Sequence, residues 1–492
     1  MSVFKNINFG YSSAEKEGAS VPALLLDGFM DLNGVMGNIV NDNKYLVLGY
    51  KGAGKTAISE HLRLSMKDDQ RLCVKQISLK EFPYSELQHI SHTGDTGEKY
   101  PTAWAWLLLI SILEMLVNEK RHFAENADYN LRNIADSLNK TGVLSTSSIR
   151  NLVLTSTTKS FKVKLPVAFE SEYRRDKREQ NMKLSFMVEK LKASISKYRS
   201  TYNYYLVIDD LDDVLNIEGP QLATLEALIL EVSRINTLLT KEQSPIHIVL
   251  LCRTDLYSKL PGPNNNKFRQ DSGIILDWYH DPSDFMESDL VRLANHKAQV
   301  TDNSINDLFS SFFPIDANND LKKDILLEVF ESTRHTPRDF LRALSYIQNA
   351  IPQKPFADLI SRRVTPEEIF KGLRNYSIDY FYQEIKDEIS GYLTPNQVSC
   401  AFNAFGTIRK RQFSFTTFEA LLRENTTSDS NIDALAIAHT LFECSAIGNI
   451  LKPIKTNHDA HFTFKYRNRN ASFNKNEDII LHRGLHKALN AT

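Results

Sequence analysis

The stretch that most constrains this chain is Gly49-Tyr50-Lys51-Gly52-Ala53-Gly54-Lys55-Thr56, because of what flanks it. Before it, Lys44-Tyr45-Leu46-Val47-Leu48 is a short apolar run closed by glycine, as a buried strand would be. After it, Ile58, Leu62 and Met66 recur at helical spacing. A glycine-rich turn from strand to helix lets successive backbone N–H groups wrap an anion if side chains stay clear, hence glycine at 49, 52 and 54. The helix N-terminus adds partial positive charge at the same point. Such a loop suits a nucleoside triphosphate: Lys55 would reach the β- and γ-phosphates, and the Thr56 hydroxyl would ligate Mg²⁺. ATP with Mg²⁺ is the expected ligand, held by the loop from Gly49 through Ala57.

Further strands are expected at residues 72–77, 204–208, 246–252 and 273–276. Strand, loop, helix, strand opens a parallel α/β sheet. The 204–208 run ends on Asp209 and Asp210. An apolar strand ending in acids matches the Walker B pattern. Asp209 is then the metal carboxylate and Asp210 the group that polarises the attacking water. Leu211-Asp212-Asp213 follows and crowds the carboxylates, so capping of the next helix is the competing reading for Asp210, Asp212 and Asp213.

At 492 residues the chain exceeds one ordinary domain. The expected organisation is a lead-in over 1–43, a core over 44–281 with a helical insertion at about 83–200, a helical lid over 282–353, and a C-terminal domain over 364–492. Pro352 and Pro355 punctuate the last boundary. The insertion is rich in Arg174, Arg175, Lys177, Arg178 and Lys183, but acids interleave, which favours a solvated helix face over a nucleic-acid surface. With 59 basic and 60 acidic residues, no whole-chain charge argument for nucleic acid exists. Four dispersed cysteines, without a CxxC pair, give neither zinc spacing nor a disulfide framework and fit a reducing cytoplasm. No signal peptide is expected at 1–10 and no membrane segment elsewhere; the apolar run 104–117 carries Glu114 and reads as a buried helix.

The loop, the acidic strand end and two arginines together resemble the additional-strand P-loop ATPases, in particular the AAA+, STAND and bacterial KAP-like classes. STAND proteins carry the acid-acid-hydrophobic-acid form found here as Asp209-Asp210-Leu211-Asp212. The resemblance implies a sensor at the end of the next strand, where Arg253 stands. It also implies a lid motif with proline that contacts nucleotide, matched by Thr336-Pro337-Arg338-Asp339-Phe340, with Arg338 as second sensor. A structural salt bridge is the alternative for Arg253, and pairing with Asp339 or Glu331 the alternative for Arg338. These classes often oligomerise, which makes a homo-oligomer the expectation.

Helix candidates at 413–422 and 432–443, then strand candidates at 447–451 and 462–466, look like a winged helix. With the closing run Asp478-Ile479-Ile480-Leu481-His482-Arg483-Gly484-Leu485, the chain is similar to a little-studied bacterial P-loop ATPase family. From Lys452 onward, Lys452, Lys455, Lys465, Arg467, Arg469, Lys475, Arg483 and Lys487 face only Asp459, Glu477 and Asp478. That excess suits DNA phosphates; a packing module closing over nucleotide is the equal alternative. His482 and His486, four apart, lack a third metal ligand and read as ordinary histidines. The expected activity is a slow ATPase switch acting on a partner protein or DNA. The rivals are a nucleotide-gated DNA-binding regulator and a defence or stress ATPase.

Overall fold

The computed structural model describes residues 3–41, 44–80, 82–87, 89–90, 99–144, 148–157, 184–211, 220–260, 265–280, 286–314, 320–353, 359–360, 362–425, 433–451 and 461–492. They form two compact units, one of residues 33–51 and 55–276 and one of 1–32, 52–54 and 277–492.

The first unit is built on strands β1 (Leu46–Gly49), β2 (Leu72–Ser78), β3 (Asn203–Asp209), β4 (Ile246–Arg253) and β5 (Gly273–Leu276), in the order β2-β3-β4-β1-β5. Every neighbouring pair is parallel. A parallel sheet covered on both faces needs near-continuous apolar strands; β1 is buried at all four positions and β4 at all but His247. The strand carrying the loop and the strand carrying the acids are not neighbours, because β4 lies between them. That is the additional-strand arrangement, and the chain has the α/β P-loop NTPase fold expected from its sequence.

Helix Lys55–Ser65 leads out of the loop and buries Ile58, Leu62 and Leu64. The insertion contains helices Lys99–Asn118, Tyr129–Lys140, Ile149–Thr157 and Leu184–Ser196. The first has 20 residues, outrunning the apolar run seen in sequence. Its Tyr100–Asn118 stretch is long and apolar enough to cross a membrane, yet 78% of its apolar window is buried in the protein. Its indoles find partners there: Trp104 donates to the Thr224 carbonyl at 2.9 Å and Trp106 to the Ser156 hydroxyl at 3.3 Å. Each fully buried leucine on it contributes roughly 2 kcal/mol, so it is the core helix of this unit. Arg174, Arg175, Lys177, Arg178 and Lys183 lie outside the described residues, while Lys192 pairs with Glu189 and Glu231.

In the second unit, helices Asp289–Thr301, Asp320–Glu331 and Pro337–Ala350 precede a rod made of Pro366–Tyr376, a π-helical turn Ser377–Phe381, and Tyr382–Ile389. The N-terminal segment belongs here. Gln348 donates to the carbonyls of Phe4 (2.6 Å) and Ile7 (2.9 Å), and Lys297 pairs with Glu17 in a buried contact.

The chain closes as a winged-helix-like module. Helices Pro395–Ile408, Phe415–Glu424 and Ala434–Glu443 accompany an antiparallel sheet of β6 (Gln412–Phe413), β7 (Ile447–Leu451), β8 (His461–Thr463) and β9 (Asp478–Leu481), ordered β6-β9-β7-β8. Phe413 pairs with Ile479 instead of opening a helix, because Ser414 caps the next helix by accepting from the Thr417 N–H. The strand expected at 462–466 ends at Thr463, where the Arg467 N–H turns back to the Phe464 carbonyl at 3.1 Å. β9 lies between β6 and β7. Its four residues are too short a run to announce a strand by alternation.

Candidate functional site

The loop after β1 turns through Gly52 (φ 82°) and Gly54 (φ 95°), a region that penalises any side chain. At its base, Lys55 is buried and its ammonium donates to the carbonyls of Gly49 (3.1 Å) and Tyr50 (3.2 Å). At its tip, residues 52–54 pack within the second unit. The Ala53 carbonyl accepts from the Trp278 indole at 2.9 Å, and the Gly52 carbonyl accepts from the Arg338 N–H at 3.4 Å. A Cβ on Gly52 would stand 3.1 Å from Thr336 Oγ1 and 3.2 Å from Arg338 Cβ. The Thr336-Pro337-Arg338 motif therefore meets the loop tip itself.

Thr336 caps helix Pro337–Ala350, with proline at the first helical position. His335 before it takes φ 51°, is buried, and has neither ring nitrogen hydrogen-bonded. Burial, with Arg467 and His280 nearby, pushes its pKa down to about 3.

The acids stand at the carboxyl end of β3. Asp209 Oδ1 accepts from the Asp210 N–H at 2.8 Å, and the nearby Thr56 hydroxyl favours its charged form. Asp209 Oδ2 is shut off from solvent and has no hydrogen-bond partner. Burial, then the neighbouring Asp210 charge, lifts its pKa to about 6. An orphaned carboxylate oxygen beside a threonine hydroxyl is an oxygen donor set that fits a small hard cation such as Mg²⁺.

Asp210 takes φ 62°, uncommon for a residue with a side chain. Its Oδ2 accepts from the Ser78 hydroxyl at 2.6 Å. Ser78 ends β2, in register with Asp209, and went unnoticed in the sequence. The available signal was a polar residue directly after the strand expected at 72–77. Asp212 and Asp213 lie outside the described residues.

Arg253 ends β4 in register with Gly49. It is only 2% exposed, and its fork grips Asp255 with Nε at 3.0 Å and Nη2 at 2.7 Å. Arg338 lies 3.9 Å from Glu384. Asp339, weighed as its partner in sequence, is instead engaged by Arg334 at 2.9 Å, and Arg334 also reaches Glu388 at 2.5 Å. Glu331, the other candidate, pairs with Arg467.

Among the described residues, four of the C-terminal cations are spent inside the unit: Lys465 on Glu443 (2.9 Å), Arg467 on Glu331, Arg469 on Asp277 and Arg483 on Glu328. Lys452, Lys455 and Asp459 fall outside the described residues. His482 accepts from the Gly484 N–H at 3.0 Å, and His486 Nε2 sits 3.0 Å from the Leu481 carbonyl.

No family model matches the chain, and no curated protein does. Two solved structures superpose loosely. The Aeropyrum pernix Orc1 protein, solved in complex with DNA, is 12% identical over 91% of this chain and 86% of its own, with a TM-score of 0.38. Cdc6p from Pyrobaculum aerophilum is 12% identical over 98% of this chain and 96% of its own, with a TM-score of 0.32. The fold assignment stands on the chain's own sheet order and loop.

Proposed function

We propose that this chain is a Mg²⁺-dependent, ATP-binding and ATP-hydrolysing switch of the AAA+/STAND type, whose nucleotide state is relayed through the C-terminal winged-helix-like module. The observation that carries this reading is the phosphate loop together with Asp209, whose buried Oδ2 lacks a partner beside the Thr56 hydroxyl.

In this reading the loop from Gly49 to Ala57 cradles the phosphates, and Lys55 exchanges its carbonyl partners for phosphate oxygens. Thr56 and Asp209 hold Mg²⁺, which when bound offsets charge on the phosphate oxygens. Asp210, aimed by Ser78, orients and polarises the attacking water. Arg253, fixed by Asp255, and Arg338, tied through its backbone to Gly52, supply positive charge from β4 and from the lid. Core 44–281, lid 282–353 and winged-helix-like domain 364–492 are the working modules.

The second reading is a nucleotide-gated DNA-binding regulator. The four internal ion pairs of the C-terminal cations favour packing over DNA contact, so the switch reading is preferred. Calorimetric ATP binding with and without Mg²⁺ tests the choice. The switch requires Mg²⁺ to tighten binding at least tenfold in the native chain and to have no effect in Asp209→Asn. Equal affinity in EDTA contradicts it. Duplex DNA binding that weakens steeply with salt would favour the regulator.

A further inference from the structure

Away from the phosphate loop, the second unit contains an open cavity of about 150 Å³, room for several waters. Its wall brings together Arg411 from just before β6, Arg483 and Lys487 from the chain's last segment, and Glu328 from the helix that leads to the lid motif. Three cations face one carboxylate, a local excess of two positive charges. Arg483 already pairs with Glu328, whereas Arg411 and Lys487 are exposed at the rim. Phe370, one of the exposed large apolar side chains, lines the same opening.

Two further observations mark the place as built. The rod helix takes a π-helical turn at Ser377–Phe381, beside the cavity, a distortion often found at functional sites. Ser377 there locks the last segment in place, donating to the Gly484 carbonyl at 2.5 Å and accepting from the Ala488 N–H at 3.1 Å. His486 in the wall is held neutral: burial, then Arg411, Arg483 and Lys487, pushes its pKa down to about 4. Arg411, Arg483 and Lys487 line this one cavity together with His486.

We propose that this cavity is a second anion site, distinct from the phosphate loop, that takes a small phosphate monoester. Two uncompensated positive charges match a phosphate dianion, and guanidinium forks bind its oxygens in pairs. Phe370 offers a flat apolar face to whatever the phosphate carries. A bound dianion competes with Glu328 for Arg483, and Glu328 lies eight residues before Thr336, so occupancy is readable by the lid motif.

The test is calorimetric titration of the full chain carrying Lys55→Ala, which removes the loop's own phosphate lysine, with inorganic phosphate and with AMP at constant ionic strength. Saturable one-to-one binding is expected to persist in Lys55→Ala and to weaken at least tenfold when Arg411→Gln and Lys487→Gln are added. Glu328→Gln, which removes the competing carboxylate, is expected to tighten binding severalfold, a change that misfolding cannot mimic. AMP binding more tightly than phosphate supports the role of Phe370. The site is overturned by absence of saturable binding in Lys55→Ala, by binding that survives the double substitution, or by binding of oligonucleotides alone.

Discussion

The Ser78 hydroxyl donates to Asp210 Oδ2 at 2.6 Å, joining the end of β2 to the acid assigned to the attacking water. Asp210 is held in a left-handed backbone conformation, so its carboxylate is aimed by φ and by Ser78 together. Ser78→Ala leaves the loop and Asp209 intact; it frees the direction of Asp210 and removes the acceptor of the Lys80 N–H (3.2 Å). The expected result is a kcat lower by about tenfold, a fraction of the range for a positioned acid or base, with KM for ATP unchanged. Steady-state kinetics decide it; a change in KM alone would place Ser78 in binding instead.

Asp209 makes a prediction with opposite signs for stability and for metal. Its folded pKa of about 6 lies above the ordinary 3.8, so the folded chain binds the extra proton between those values. Stability from this group therefore falls as pH rises from about 4 to 6 and stays low above, a penalty on the order of 3 kcal/mol. Without metal, Asp209→Asn is expected to melt higher than the native chain at pH 7.5 and equally at pH 4. Mg²⁺-dependent ATP binding, which needs the carboxylate, weakens as pH falls through about 6 in the native chain. Thermal melts over pH check the first sign and calorimetry the second.

Arg334 is buried against Asp339 and Glu388, which are 0% and 6% exposed. Removing the guanidinium leaves two buried carboxylates facing each other. Arg334→Ala is expected to destabilise the second unit by about 3–5 kcal/mol, with Asp339→Asn in the same background restoring part of it. Denaturant melts followed at the Trp278 fluorescence in a Trp104→Phe, Trp106→Phe background report the change.

Gly52 and Gly54 both take positive φ, but only Gly52 has near neighbours, Thr336 and Arg338. Gly54→Ala costs backbone strain of roughly 1–2 kcal/mol. Gly52→Ala adds a contact that Thr336 must yield to, so its nucleotide-free melting temperature is expected to fall further. Equal shifts would mean that the tip does not pack on the lid motif.

Much of the candidate site was legible because a loop built for phosphate restricts residue types locally. Glycines, Lys55 and Thr56 announce the loop within eight positions, and Asp209 announces itself by ending an apolar run. All five core strands lie where apolar runs suggested. What stayed hidden depends on contacts between distant segments. Ser78 is an ordinary serine until β2 pairs with β3 and places it opposite Asp209. The Arg334–Asp339–Glu388 cluster joins residues 54 positions apart. β9 is a strand because β6 and β7 flank it, not because four residues alternate convincingly. The basic tail suited DNA and packing equally on sequence alone because Glu328, Glu331 and Asp277, which pair with Arg483, Arg467 and Arg469, lie more than a hundred residues earlier.

The central claim is that the loop and the β3 acids form one hydrolytic site, and ATP turnover tests it most directly. Phosphate release should be measured with Mg²⁺, with and without duplex DNA, for the native chain, Lys55→Ala and Asp210→Asn. The expected result is turnover by the native chain, loss of at least a hundredfold in Asp210→Asn with ATP still bound, and loss of binding and turnover together in Lys55→Ala. A native chain that binds ATP and releases no phosphate under either condition would contradict the claim and leave a nucleotide-gated binding module.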